Sequence, residues 1–158
     1  MRQPLLTTLA AACALTLPLA AQSKTVTVST TLKNYGGDGA YLAVYLTDAK
    51  GAYARTLWVA GGKAKYYKHL ADWSRLSVAD AKRLDGVTGA SVGQGRTLKV
   101  TTELADALID AGYEIRIDAA VEDMRDSAGE VRIPLSSASA GKPQAGKQYI
   151  QSASFQLQ

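Results

Sequence analysis

Scarcity alone removes most metal chemistry from this chain. Cysteine occurs once, at Cys13, and histidine once, at His69, in 158 residues. Multi-histidine copper or zinc sites are therefore excluded, and C-x-x-C-H, the attachment signature of a c-type haem, is absent. No acid, base and nucleophile set stands out either. A serine–histidine hydrolase built on Ser91 and His69 lacks a nucleophile-elbow context, and no aspartate can be assigned as its orienter from the sequence. An electron-handling protein of this composition must use an organic cofactor. Long apolar runs are also missing, except at the N-terminus.

There, Met1-Arg2 supplies a short positive start, and Leu5 to Leu19 is nearly all apolar apart from three threonines. Pro18 and the small residues Ala20, Ala21 and Ser23 follow. This is the pattern of a secretory signal peptide, too short and wrongly flanked for a membrane span. Residues 1–23 are read as the signal, with cleavage between Ala20 and Ser23, and 24–158 as one exported, non-spanning domain. A lipoprotein reading at Cys13 is disfavoured because the apolar run continues to Ala21. Signal removal takes away the only cysteine, so the mature chain forms no disulfide of its own and holds no iron–sulfur cluster.

About 135 residues are ample for one domain core. The charge of +4 is concentrated between Lys63 and Arg83, where Lys63, Lys65, Lys68, Arg75, Lys82 and Arg83 oppose Asp72 and Asp80. A basic stripe can mean nucleic acid, but an exported protein seldom meets it, so none is expected as a partner. The stripe reads either as a solvated face or as a site for an anion.

Most of the mature chain alternates like half-buried strands. Thr25–Val28 opens it, and Tyr41–Thr47 places Leu42, Val44 and Leu46 on one face. Asp48-Ala49-Lys50-Gly51 is a hairpin turn into Tyr53–Val59. Strands are expected at Gly95–Thr101, Tyr113–Asp118, Val131–Leu135 and Tyr149–Leu157, with reversals at Asp110–Gly112 and Ser127–Gly129. The fold class is therefore mainly all-β, an immunoglobulin-like antiparallel β-sandwich. Residues from about 63 to 92 break the rhythm as a helical insertion, expected to present residues 85–91 on a loop. Ser77-Val78-Ala79-Asp80 has the form of a capping box and predicts a short helix from Val78 to Leu84.

After that helix comes Asp85-Gly86-Val87-Thr88-Gly89-Ala90-Ser91. It resembles the Asp-x-x-[Ser/Thr]-Gly-Ala-[Thr/Ser] signature read by bacterial flavin transferases on exported proteins, whose last hydroxyl receives FMN through a phosphoester. The resemblance implies covalent FMN at Ser91, with Asp85, Thr88, Gly89 and Ala90 recognised or shaped for the transfer. Serine stands where threonine is usual, and either supplies an aliphatic hydroxyl. Five constrained positions arise by chance in a chain this size with a frequency of only about 10⁻³.

A second resemblance rests on Tyr41–Asp48, Arg55–Val59, Tyr66–Trp73 and the D-G-V-T-G-A-S run. Together these resemble the periplasmic proteins of domain-of-unknown-function family 2271. Asp110–Ile115 is similar to the immunoglobulin-like module of flagellar hook-capping proteins. The family resemblance implies a flavin transferase and a PepSY-type membrane protein as partners, the latter as electron donor. Ferric iron or a siderophore are the acceptors it suggests. The protein is then a redox carrier or subunit more than a stand-alone enzyme. Tyr66, Tyr67 and Trp73, with Trp58 and His69 nearby, are candidate neighbours of the flavin ring, although their spacing also suits plain packing of the insertion. Lys65, Lys68 or Arg75 near the ring would raise its potential by favouring the anionic reduced form. The rival from another class is a cofactor-free immunoglobulin-like module for periplasmic binding or assembly.

Overall fold

The computed structural model describes residues 21–78 and 84–158. The expected signal up to residue 20 and most of the expected helix Val78–Leu84, including Asp80 of its capping box, lie outside the described residues.

Among the described residues, eight strands form two sheets: β1 (Ser23–Leu32), β2 (Tyr41–Thr47), β3 (Tyr53–Ala60), β4 (Thr88–Gly89), β5 (Thr97–Ala105), β6 (Glu114–Ala120), β7 (Ser127–Pro134) and β8 (Ile150–Leu157). One sheet has the order β5-β1-β8 and the other β4-β3-β2-β6-β7. This is the expected all-β sandwich, antiparallel throughout except for the two-residue pair of β3 with β4, which runs parallel.

Alternation explains the layering. In β1, Val26, Val28, Thr30 and Leu32 are buried, while Thr27, Ser29 and Thr31 lie on the other face. Thr27 and Thr31 pair across the strand with Thr101 and Thr97 at 3.0 and 2.9 Å. Leu42, Val44 and Leu46 of β2 point inward with Ile115, Ile117 and Phe155, forming the core between the sheets. The β2–β3 hairpin closes as its turn residues dictate. Asp48 Oδ1 accepts the N–H groups of Lys50 and Ala52, both at 2.9 Å, and Gly51 takes a φ of 79° that glycine adopts freely.

The opposite face of β2 is not solvated. Ala43 and Tyr45, with Val59 and Ala120 from the neighbouring strands, pack beneath Leu70 and Trp73 in a second apolar cluster. Those two residues come from the middle of the chain, where a 3-10 helix (Ala64–His69) runs into α1 (Ala71–Leu76). The insertion is therefore a third layer on the outer face of the five-stranded sheet.

A buried carboxylate fastens that layer. Asp118 is fully buried in β6. Its Oδ2 accepts the Trp73 N–H at 2.8 Å, and its Oδ1 accepts the Gly129 N–H at 2.8 Å and the Tyr45 hydroxyl at 3.2 Å. Burial pushes the Asp118 carboxyl above its ordinary value, opposed by the N–H donors of Trp73 and Gly129. Burial, followed by the Asp118 charge, drives the Tyr45 hydroxyl far upward. A second buried acid, Glu130, ties β7 to the start of β8. Its Oε1 accepts the N–H groups of Gln148, Tyr149 and Ile150 at 2.6, 2.7 and 2.9 Å, and Ser127 donates to its Oε2.

One expected reversal is misplaced. Ser127-Ala128-Gly129 is not a turn but the opening of β7. The chain reverses earlier, where Met124 N–H meets Val121 O at 3.1 Å and Asp123 takes a φ of 58°. Gly129 has a φ of 54°, but its role is to bend β7 around Asp118. The β6–β7 register slips between Ile117 and Ala119 at that level, as a bulge produces.

Candidate functional site

The D-G-V-T-G-A-S segment forms a sheet edge rather than a free loop. Its first residues make a turn, closed by Val87 N–H to Leu84 O at 3.2 Å, with Gly86 at a φ of 76°. The chain then runs beside β3, where Val59 N–H donates to Val87 O and Gly61 N–H to Gly89 O, both at 2.8 Å. Just past the motif, Val92 inserts into the main core and exchanges two backbone hydrogen bonds with Ala40, at 2.7 and 2.9 Å. Asp85, Thr88, Ala90 and Ser91 are exposed, and Gly89 is half-buried.

Two glycines shape this segment sterically. A Cβ on Gly89 would fall 2.7 Å from Cζ2 of Trp58, so the indole lies where any larger residue would stand. A Cβ on Gly39 would fall 2.9 Å from Ser91 Oγ. The bare Gly39 backbone is what leaves the Ser91 hydroxyl its space.

Ser91 opens onto a cleft of about 650 Å³, within the range of about 300–1,000 Å³ usual for small-molecule sites. Three other walls complete it: Asp38 and Gly39 before β2, with Tyr41 at its start; Lys63, Tyr66 and His69 from the helical layer; and Ala120 to Met124 with Asp126 from the β6–β7 turn. The Tyr41 ring meets Tyr66 edge-on, with centroids 5.9 Å apart, and its hydroxyl accepts the Lys63 N–H at 3.2 Å. His69 Nδ1 lies 3.0 Å from Asp126 Oδ2, joining the helical wall to the turn wall.

The lining is acidic. Asp38, Glu122, Asp123 and Asp126 face a single lysine, Lys63. Lys65, Lys68 and Arg75 do not line the cleft. Lys65 sits instead over the Tyr66 ring at 4.8 Å, and Arg75 contacts Asp72 at 3.2 Å. Of the expected neighbours of the ring, Tyr66 and His69 line the cleft. Tyr67 is half-buried behind Tyr41 and donates to Gly61 O at 2.8 Å, and burial raises its hydroxyl above the ordinary value. Trp73 is buried in the second cluster, its indole N–H on Thr56 Oγ1 at 2.9 Å. Trp58 packs half-buried against the main core.

Sequence reasoning did not find Asp38, Gly39, Tyr41 or the carboxylates of the β6–β7 turn as site residues. They stand far from Ser91 in the chain, and nothing in one sequence pairs them with it. The Gly36-Gly37-Asp38-Gly39 run and the acidic stretch Glu122–Asp126 were the available signals. His69 was found, and the structure supplies its acidic partner, although His69 and Ser91 Oγ are not hydrogen-bonded to each other. Among the described residues no group of three or more His, Cys, Asp or Glu side chains could hold a metal ion. None of their helices is long and apolar enough to cross a membrane.

A family model described as predicted periplasmic protein (DUF2271) matches residues 23–152. No curated protein and no solved structure matches the chain.

Proposed function

Because the chain belongs to the DUF2271 family of predicted periplasmic proteins, we propose that it is an FMN-bearing electron carrier of the periplasm, with FMN esterified through its phosphate to Ser91. The observation that carries this reading is the placement of Ser91. Its hydroxyl is exposed at a cleft of about 650 Å³ with two tyrosine rings in its walls. A group tethered there has adjoining room, with Tyr66 and Tyr41 as flat surfaces for a flat ring. Asp85, exposed in the turn that precedes the edge strand, serves recognition by the flavin transferase. Electrons pass from a membrane reductase, a PepSY-type protein by resemblance, to an acceptor such as ferric iron or a siderophore.

The acidic lining reverses one electrostatic expectation. Carboxylates around the ring disfavour added negative charge, so the cleft holds the cofactor at a lower potential than a lysine-rich site. This suits a carrier that delivers electrons more than one that collects them.

The test is mass spectrometry of protein co-produced with a flavin transferase. The expected result is a gain of FMN less one water, mapped to Ser91, absent from Ser91→Ala and reduced in Asp85→Ala. Label on Thr88 would mean that the acceptor is misassigned. Protein of unchanged mass from cells with active transferase would refute the reading and leave the cofactor-free binding module.

A further inference from the structure

We infer that His69, oriented by Asp126, is the acid–base residue of the cleft and exchanges a proton with the redox ring seated there. The inference rests on the flavin reading. His69 is the only imidazole in the chain, and its Nδ1 is committed to Asp126 Oδ2 at 3.0 Å. That contact leaves Nε2 as the ring atom free for a ligand. An imidazole fixed by a carboxylate behind it is the arrangement that general acid–base catalysis uses. His69 and Asp126 side chains are 45% and 39% exposed, so the pair reaches bulk water and the cleft together, as a proton conduit must.

The surrounding charges supply the need. Lys63 and Tyr66 flank His69 on its own segment, Tyr41 faces it from β2, Asp38 from the preceding loop, and Glu122 and Asp123 from the turn that bears Asp126. Two electrons added without protons would place two negative charges among these carboxylates. Uptake of two electrons and two protons leaves the reduced ring neutral. The electrons come from the membrane reductase. One proton leaves His69 Nε2 as its N–H bond breaks and an N–H bond forms on the ring. His69 is left as the neutral imidazole until a solvent proton restores the cation, which Asp126 stabilises before each transfer. The second proton arrives from solvent.

The test uses flavin-loaded protein, with loading verified by mass for each variant, reduced by a chemical reductant across pH. The intact protein should show a pH inflection in its reduction rate. His69→Gln should lose that inflection and slow at least tenfold, and added imidazole should restore the rate of His69→Gly. Asp126→Asn should keep the inflection at a lower rate. The Cε1–H of the solitary imidazole also gives one proton magnetic resonance signal, which should move between Ser91→Ala and the loaded chain. Loaded His69→Gln with an unchanged rate profile would overturn the inference while leaving the flavin reading intact. Failure of the unaltered protein to load would remove both.

Discussion

Replacing Asp118 by asparagine isolates the bond that fastens the helical layer to the sheet. Asparagine keeps the shape of the side chain but turns one acceptor oxygen into a donor. With its NH₂ at the Oδ2 position it opposes the Trp73 N–H, which the carboxylate accepts at 2.8 Å. Flipped, it opposes the Gly129 N–H, also at 2.8 Å. The Tyr45 hydroxyl can rotate to adapt, but a backbone N–H cannot. One buried N–H is therefore left without a partner in either orientation, at a cost of about 1–3 kcal/mol. Loss of charge assistance to the other bond adds about 1 kcal/mol. Against this, removing the charge recovers some of the burial penalty that raises the Asp118 carboxyl. The net expectation is a loss of about 2 kcal/mol at neutral pH, or roughly 8 °C in Tm for a domain of this size. Urea and thermal unfolding followed by tryptophan fluorescence measure it, with Trp73 itself as reporter. Hydrogen exchange should localise the effect, with the Trp73 amide opening at least tenfold more while Val26 and Val28 stay protected. A loss below about 0.5 kcal/mol, or a gain in stability, would show that burying the charge outweighs the bonds it makes.

Three further perturbations test the rest of the architecture. Gly89→Ala drives a methyl group to 2.7 Å from the Trp58 ring and should destabilise the domain by about 1–3 kcal/mol, with a shift in tryptophan emission that calorimetry and fluorescence would register together. Gly39→Ala meets only the Ser91 side chain at short range, 2.9 Å from Oγ, so unfolding should change by less than about 1 kcal/mol while flavin loading falls several-fold; undiminished loading would show that Ser91 needs no clearance. Ser137 donates to Asp110 from its N–H at 2.8 Å and its hydroxyl at 2.7 Å, and these bonds, the hydroxyl's first, hold the Asp110 carboxyl below its ordinary value. A depressed folded value means stability that is complete above about pH 4 and is lost as pH falls through it, so Ser137→Ala should flatten this part of the acid-side decline in Tm.

The legible parts of the fold were those decided by neighbours in the chain. β2 and its turn could be read because alternation set the inward face and because Asp48 and Gly51 carry their own turn chemistry. The β-sandwich class followed from several such segments together. What escaped was decided at a distance. Ser127-Ala128-Gly129 has turn composition, yet Asp118 on the neighbouring strand makes it a bulge. β4 is two residues long, and its place beside β3 depends on Gly89 lying flat under Trp58. Ser91 was singled out by its motif alone. The cleft beside it was not legible, because the acidic wall comes from loops before β2 and after β6, while Lys65 and Lys68 do not line it.

The anchoring on both sides of Ser91 bears on when the cofactor could be attached. To thread this residue into a deep catalytic pocket, a transferase would have to strip four backbone bonds, those of Val59 and Gly61 on one flank and the Ala40–Val92 pair on the other, and withdraw Val92 from the interior. At about 1 kcal/mol per bond and about 2 kcal/mol for the valine, peeling costs roughly 6 kcal/mol, a population near 10⁻⁴. On the flavin reading, attachment would belong to one of two moments: the newly delivered chain before its sheets have closed, or the finished surface met by an enzyme with a shallow mouth. Maturation order, rather than the motif alone, would then decide how much of the protein becomes coloured.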